Sequence, residues 1–334
     1  HVLQDLQVAR VELAARCDAA WCHQSRHGER QGERPGKLRF ALPPEQSRRY
    51  STSVTERPRR QRPLADLTFS VLGAGRVGSS LASWAVALGA EAIAVAGRRG
   101  SDSARELAGR LDCVPVSSER LTTAGQDLLI LAVPDPELAG VAEALAVRAQ
   151  AAVVLHTSGR HDASVLRPLT VRGSAVGSLH PLKAFPRPLL ALADAAGTVF
   201  GVDGAPEARE LADRLAHAFG GRPVAVPPET RLLYHFAATL AAGGVVTLLA
   251  SAAELAERSG LPREVLAGYL ELSRGALEAA GGGADPAAAI TGPVARGDVQ
   301  TVLAELQAVE VVSPELVPLA VQLARESLRQ LARH

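Results

Sequence analysis

The sequence predicts an α/β domain that is followed by an all-α domain. Short apolar runs alternate with helical patterns over residues 67–228, and helical periodicity dominates residues 229–334. A chain of 334 residues is long enough for two domains of roughly 100–200 residues each. Its apolar side chains are mainly Ala, Leu and Val, which suit buried parallel strands and closely packed helices.

Residues 1–66 differ from the rest of the chain. Residues 21–66 are rich in Arg, Gln, Glu, Ser and Pro, so we expect residues 1–66 to be a disordered leader. Residues 1–64 contain 13 Lys/Arg and 7 Asp/Glu, and the remainder is mildly acidic. The charge distribution therefore predicts no nucleic-acid partner.

The cysteine content predicts neither a disulfide framework nor a metal site. Cys17, Cys22, His23 and His27 are ligand-type residues, but their spacing is not that of a zinc finger. Cys113 is the third cysteine.

No run of about 20 apolar residues is evident, so we expect a cytoplasmic protein without a membrane partner.

The predicted elements of the first domain alternate between strand and helix. Residues 67–72 form the first strand, and a helix follows over residues 79–88. Asp135-Pro136 supplies an N-cap and an N1 proline for a later helix. This alternation indicates βαβ units and a parallel sheet. The further predicted strands are residues 92–96, 128–133, 153–155 and 175–179, and the further predicted helices are 103–111 and 135–147.

The sequence of the second domain predicts four helices. They are predicted over residues 230–259, 262–280, 299–310 and 314–333. The run Gly281-Gly282-Gly283 and the segment 291–297 interrupt them. The Pro227-Pro228 pair marks the predicted boundary between the two domains.

A G-x-G-x-x-G string follows the first predicted strand and opens a helix. Gly73 permits the tight turn, Gly75 lets a pyrophosphate approach the backbone, and Gly78 allows close helix packing. Arg76 and Val77 lie inside the string. The context predicts a Rossmann dinucleotide site with the phosphates at the helix N-terminus.

The residues after the second strand favour NADP(H) over NAD. An NAD site places a carboxylate there, whereas this chain has Arg98 and Arg99 and no acidic residue between Gly97 and Ser101. Arginine binds a 2′-phosphate through two parallel hydrogen bonds. A solvated basic turn is the alternative interpretation.

Other candidate cofactor contacts follow later strands. Val133-Pro134 is either a wall beside the nicotinamide or a plain helix start, and Ser158 belongs to the segment that ends the next strand. These positions lie where ligands bind in open α/β sheets.

Four residues are candidates for catalysis. His180 and Lys183 follow a strand and are possible proton donors, and His235 lies on the first long helix of the second domain. Arg296 offers a cation that would hold a carboxylate. Each also has a purely structural interpretation. His156, which follows the preceding predicted strand, is interpreted as structural.

Several strings together resemble a family of Rossmann-like NADP oxidoreductases with a C-terminal helical domain of the DUF2520 type. They are GAGRVG, LAVPD, HTSG, HPLKAF, the Tyr234-His235 pair and TGPVARGD, and they span residues 67–308. The family is similar to ketopantoate reductase, pyrroline-5-carboxylate reductase and 6-phosphogluconate dehydrogenase. The resemblance implies a 6-phosphogluconate-dehydrogenase-like helical domain, a cleft between the domains and a homodimer through the C-terminal helices.

The expected function is NADPH-dependent hydride transfer to a small 2-oxo acid such as ketopantoate, a carboxylate substrate. The alternatives are an imine or other carbonyl reductase on the same fold, and a non-catalytic NADP(H) sensor or scaffold. Gly243-Gly244 stands where the family pattern has asparagine, and Lys183 stands where a polar residue such as glutamine is expected. The missing asparagine is the main argument for the non-catalytic alternative.

Overall fold

The computed structural model describes residues 62–283 and 285–333. Strands and helices alternate from β1 onward, which confirms the α/β class. The strands are β1 (Thr68–Leu72), β2 (Glu91–Gly97), β3 (Val114–Ser117), β4 (Leu128–Leu131), β5 (Val153–His156), β6 (Ala175–Leu182), β7 (Val199–Gly204) and β8 (Arg222–Ala225). The helices of this part are α1 (Arg76–Ala87), α2 (Asp102–Leu111), α3 (Asp135–Leu145) and α4 (Pro206–Ala218).

The eight strands form one sheet in the order β3-β2-β1-β4-β5-β6-β7-β8. The strand order reverses between β1 and β4, which is the ligand-binding crevice of doubly wound sheets. All neighbours are parallel except β6 and β7, which are antiparallel. The sheet is thus parallel, as the sequence predicts, except at β7, and β3, β7 and β8 are not among the strands predicted from sequence.

Apolar side chains cover both faces of the sheet. Along β1, Phe69 and Val71 point into one core, which contains Trp84 of α1, and Leu72 points into the other. Helices α1, α2 and α4 contribute to the first core, and α3 contributes to the second. The sheet is therefore buried on both sides, as its continuous apolar strands require.

The predicted disordered leader includes five residues, 62–66, that the structure describes as an ordered turn, whereas residues 1–61 lie outside the described residues. This turn is attached to the first core through Leu64. Leu64 is fully buried, and its backbone N–H donates to the Leu88 carbonyl at 3.1 Å. Asp66 forms an ion pair with Arg214 of α4. The prediction was wrong for residues 62–66 because a single buried leucine orders this turn, and composition averaged over many residues does not register it.

The remaining helices are α5 (Arg231–Thr239), α6 (Val245–Arg258), α7 (Val265–Gly281), α8 (Val299–Val312) and α9 (Val317–Leu331). A π-helical turn, Leu240–Gly244, separates α5 from α6, where the sequence predicted one uninterrupted α-helix. One compact unit ends at Ala242, and the other begins at Gly243. Helix α5 therefore belongs with the sheet, whereas the boundary predicted from sequence lay at Pro227-Pro228.

The second unit has a small core of its own. Val302 and Leu306 of α8 pack with Val317, Val321 and Leu328 of α9. Helix α7 contributes no buried residue, although its sequence is mostly apolar.

One helical stretch, Pro228–Arg258, is long and apolar enough to cross a membrane by length and composition. The sequence analysis had identified no such run. The stretch includes Arg231, whose guanidinium is buried and hydrogen-bonded within the sheet-containing unit. None of the most apolar window of this stretch is buried among the described residues, and one such helix by itself is weak evidence for a membrane span.

Candidate functional site

The glycine string forms a tight turn at the carboxyl end of β1. Gly73 has a φ of +108°, and a Cβ there would lie 2.2 Å from the Ala132 carbonyl oxygen. A Cβ on Gly78 would lie 2.0 Å from the Gly73 carbonyl oxygen. These two positions therefore need glycine so that the turn can pack against the chain after β4 and against α1.

Gly75 has a different environment, because a Cβ there would meet no protein atom within 4 Å. It is the N-cap residue of α1, makes no side-chain cap, and is followed by a first turn without acidic residues. The first N–H groups of a helix have no intrahelical acceptor and attract anions. The exposed residue Arg76 begins the helix, and Val77 is half-buried. This turn can therefore hold a phosphate.

The two arginines after β2 are exposed. Arg98 forms an ion pair with Glu137 in the first turn of α3, and 82% of its side chain is exposed. The positive charge of Arg99 contributes to lowering the pKa of Glu119, after that carboxylate's own hydrogen bonds. Both guanidinium groups remain accessible to a ligand from solvent.

The remaining cofactor candidates occupy the predicted strand ends. Pro134 is the N-cap residue of α3, and the half-buried Val133 precedes it. The hydroxyl of Ser158 accepts hydrogen bonds from the backbone N–H groups of Arg160 and His161, at 3.2 and 3.1 Å. Ser158 thus shapes the turn after β5 with its side chain.

His156, the last residue of β5, uses both ring nitrogens within the fold. Its Nδ1 accepts from the Ser158 backbone N–H at 3.1 Å, and its Nε2 lies 3.2 Å from the Asp162 carbonyl oxygen. Burial, followed by the charge of Arg231, lowers the pKa of His156 from 6.5 to about 3. This is the environment of a structural histidine, which is the interpretation that the sequence favoured.

His180 lies on β6, two residues beyond the point where β5 stops pairing with that strand. Its Nδ1 lies 2.8 Å from the hydroxyl of Tyr234 on α5, and the two rings meet edge to face. A Cβ on Gly201, which pairs with His180 across β7, would lie 2.7 Å from that hydroxyl. The absence of a side chain at Gly201 therefore makes room for the hydrogen-bonded pair.

His235, the next residue on α5, completes a cluster with Tyr234 and His180. The His180 and His235 ring centroids are 6.3 Å apart. A Cβ on Gly159 would lie 2.6 Å from His235 Nδ1 and 2.7 Å from His180 Nε2, so both nitrogens face this glycine. His235 Nδ1 is buried and has no hydrogen-bond partner among the described residues.

Two members of the cluster, His180 and Tyr234, are uncharged near neutral pH. Burial, then the charges of Arg231 and His235, lower the pKa of His180 from 6.5 to about 4, while Asp135 opposes this change. Burial raises the pKa of Tyr234, so its phenol keeps its proton. The phenol can then donate to His180 Nδ1, which leaves the ring proton on Nε2. The cluster thus presents one N–H donor and one free imidazole nitrogen beside Gly159.

The other two predicted catalytic residues are less closely connected. Lys183 is half-buried just beyond the end of β6. Arg296 is exposed in the second compact unit, on the turn before α8, where Asp298 caps the helix by accepting from Thr301 N–H at 3.1 Å. Of the four candidates, the structure brings His180 and His235 together.

Sequence reasoning assigned no role to Tyr234 or to Arg231. Tyr234 was noted only as half of a Tyr-His pair, and its spacing of 54 residues from His180 gives no local signal. Arg231 begins an apolar helix and is only 1% exposed. A charged residue at the start of an otherwise apolar helix was the one available signal.

Comparison with protein families identifies two successive domains. Residues 55–181 match the Rossmann-like domain, and residues 198–327 match the domain of unknown function DUF2520. The resemblance that the motifs indicated is confirmed by these two matches. No curated protein matches the sequence.

Solved structures with the same fold cover most of the chain. A candidate NADP oxidoreductase from Bacteroides fragilis is 22% identical over 80% of this chain and 99% of its own, with a TM-score of 0.65. A Thermotoga maritima protein is 23% identical over 80% of this chain and 100% of its own, with a TM-score of 0.63. A reductive aminase from Aspergillus terreus, in complex with NADPH, is 16% identical over 79% and 94%, with a TM-score of 0.55. At these identities the likeness establishes the fold.

The two buried histidines predict a loss of stability in mild acid. Because the folded-state pKa values of His156 and His180 lie below 6.5, the unfolded chain binds more protons as the pH falls below 6.5. Their contribution is complete above that pH and is lost toward pH 4, at up to about 1.4 kcal/mol per pH unit for each histidine. Urea unfolding at several pH values, followed by tryptophan fluorescence, measures this slope. We expect His156→Gln to have about half the wild-type slope; an unchanged slope would contradict the assignment.

Proposed function

We propose that this chain, a Rossmann-like domain followed by a DUF2520 domain, is an NADPH-dependent reductase of a small 2-oxo acid such as ketopantoate. The observation that carries the proposal is a shared location. The glycine turn after β1 and the His180–Tyr234–His235 cluster both lie at the sheet edge where the parallel strands end. Ligands of doubly wound sheets bind at this edge.

The residues present fit NADP(H). The space beside Gly75 is free of protein atoms, and the first turn of α1 offers N–H groups without a competing carboxylate. Arg98 and Arg99 would bind the 2′-phosphate, and Val133 and Pro134 would border the nicotinamide. Ser158 would contribute to the cofactor site indirectly, because its hydroxyl holds the turn after β5 in shape. When bound, NADPH supplies the hydride.

The chain's own residues would then stabilise and protonate the carbonyl oxygen of the substrate. The Nε2–H of His180 donates a hydrogen bond to that oxygen as negative charge develops on it. As the Nε2 proton passes to the alkoxide oxygen, the hydroxyl of Tyr234 gives its proton to Nδ1, and solvent returns a proton to the Tyr234 oxygen before the next turnover. A neutral imidazole is suited to this role, and the low pKa of His180 keeps it neutral. His235 Nδ1, which is buried without a partner among the described residues, offers a second polar contact for the substrate.

The charged candidates fit an acidic substrate. Arg296 and Lys183 are cations, and neither forms an ion pair within 4.0 Å among the described residues, so either can hold a carboxylate. The alternative is the reduction of an imine, and a reductive aminase is among the proteins that share the fold. Turnover of a cyclic imine in place of a 2-oxo acid would select that alternative.

We propose further that the protein is a cytoplasmic homodimer formed through the C-terminal helices. The 17 residues of α7 include no buried one, yet their only charged side chains are Glu271, Arg274 and Glu278. Leu272 is 72% exposed and Leu277 is 55% exposed. An unburied apolar helix of this length indicates a covering surface. A second copy supplies an equally apolar helix, and the ion pair of Arg274 with Glu271 leaves little charge to oppose the contact.

The cofactor assignment predicts a selective loss of NADPH affinity. Replacing Arg98 and Arg99 by Ala removes charge-assisted hydrogen bonds to the 2′-phosphate, so Kd for NADPH should rise about 10–100-fold while Kd for NADH changes little. Fluorescence titration with both nucleotides measures the two constants. Arg110→Ala, which removes a surface arginine paired with Glu106 on α2, is the matched control. An equal loss for both nucleotides would remove the assignment.

The catalytic assignment predicts that His180→Asn lowers kcat for NADPH-dependent ketopantoate reduction by about 10²–10⁴-fold, because the proton donor is lost. NADPH affinity should stay the same. His217→Asn, on the exposed end of α4, should keep full activity. A wild-type kcat in His180→Asn would leave His180 with a structural role only. NADPH binding without turnover of any carbonyl or imine would favour the non-catalytic sensor.

The dimer predicts a solution mass of twice 34.8 kDa in the absence of detergent, measured by light scattering after size-exclusion chromatography. Leu272→Glu should shift the protein toward the monomer because it places a charge in the apolar contact. Val171→Glu changes a valine that is 85% exposed in the sheet-containing unit, and it should leave the mass unchanged. A wild-type monomer would refute the dimer, and a requirement for detergent would point to a membrane.

A further inference from the structure

Arg231, the first residue of α5, is a guanidinium buried among backbone carbonyls. Its Nη2 donates to the Ser158 carbonyl oxygen at 2.9 Å and to the Ser178 hydroxyl at 2.8 Å. Its Nε donates to the Gly159 carbonyl oxygen at 3.2 Å. One side chain thus connects α5 with the turn after β5 and with β6.

The charge of Arg231 has one close counterion. Asp203 of β7 lies with its Oδ1 3.7 Å from Arg231 Nη1, and its Oδ2 accepts from the Ala163 backbone N–H at 3.1 Å. A buried charge is costly unless it is paired and hydrogen-bonded. Because most of its partners are neutral oxygens in fixed positions, the planar fork of an arginine fits this site, and the single ammonium of a lysine does not.

The helix places Arg231 directly before the cluster. Residues three and four positions apart lie on the same helical face, so Tyr234 and His235 are on the face that Arg231 fixes. The Arg231 guanidinium carbon lies 6.0 Å from the centre of the Tyr234 ring. Gly159, whose carbonyl Arg231 binds, is the glycine that His180 Nε2 and His235 Nδ1 both face.

We propose that Arg231 is a positioning residue that fixes the turn at Ser158-Gly159 against α5 and thereby sets the orientation of the His180 imidazole toward the substrate. The inference rests on the proposed reductase function for its effect on turnover. Arg231 does not reach a substrate, because its side chain is enclosed by the residues that it binds. Arg231 affects His180 through α5, whose Tyr234 bonds to that imidazole, and through Gly159, which His180 and His235 both face.

Arg231→Lys tests the proposal because it keeps the positive charge and removes the fork. We expect kcat to fall about 10–100-fold with little change in Kd for NADPH, since a displacement of about 1 Å of a catalytic group costs that much. Arg148→Lys is the matched control. Arg148 is a half-buried arginine that donates to the Ser118 carbonyl at 3.0 Å in the same unit, and its replacement should leave kcat unchanged.

A second readout does not depend on turnover. In protein labelled with ¹⁵N-histidine, the wild-type His180 should show one neutral tautomer, with the proton on Nε2, across neutral pH. Arg231, His235 and Asp135 are the charged or titratable groups that influence this ring, and Tyr234 is bonded to it. Arg231→Lys should produce a mixture of tautomers, whereas Arg148→Lys should give the wild-type spectrum.

Ser178→Ala tests the same inference if Arg231→Lys fails to fold. It removes one hydrogen bond of the guanidinium and leaves its charge in place. We expect it to cause a smaller fall in kcat and a detectable second tautomer of His180. A wild-type tautomer spectrum and kcat in a folded Arg231→Lys or Ser178→Ala would overturn the proposal. If neither the wild type nor any variant turns over a substrate, the proposed function fails. The tautomer spectrum still decides the role of Arg231 in that case.

Discussion

The hydrogen bonds of the buried Arg231 hold the first turn of α5 against the edge of the sheet. Without them, the carbonyl groups of Ser158 and Gly159 would be buried without these donors, and α5 would lose its hydrogen bond to Ser178 of β6. The alignment of Tyr234 with His180, and of His235 with Gly159, depends on these bonds. Arg231 is the only Arg, Lys, Asp or Glu of α5, so a single guanidinium anchors the start of this helix.

The electrostatic properties of the cluster follow from the same arrangement. Burial and the charge of Arg231 both disfavour protonated imidazole, so His156 and His180 are neutral over the same pH range. Their hydrogen bonds distinguish them. His156 has backbone partners at both nitrogens, whereas the Nε2 of His180 faces the space beside Gly159. The two histidines at neighbouring strand ends therefore differ in their free hydrogen-bonding groups rather than in their charge.

Local sequence was sufficient to predict the glycine turn after β1 and the helix that follows it. The glycine turn, α1 and the arginines after β2 lie within one βαβ segment, so their geometry is encoded by neighbouring residues. The pairing of His180 with Tyr234 is a contact between distant segments, and no periodicity reports it. Strand β7 was missed because it runs antiparallel to β6, against the expected alternation, and Leu64 was missed because one buried side chain does not alter a composition average.

The central claim is that the glycine turn and the histidine cluster serve one hydride transfer. The most direct test supplies the protein with ketopantoate and with NADPH deuterated at the nicotinamide carbon that carries the hydride, and analyses the product by mass spectrometry. We expect an alcohol with deuterium on the former carbonyl carbon, formed by the wild type and lost in His180→Asn. Tight NADPH binding without deuterium in the product of any 2-oxo acid or imine would contradict it.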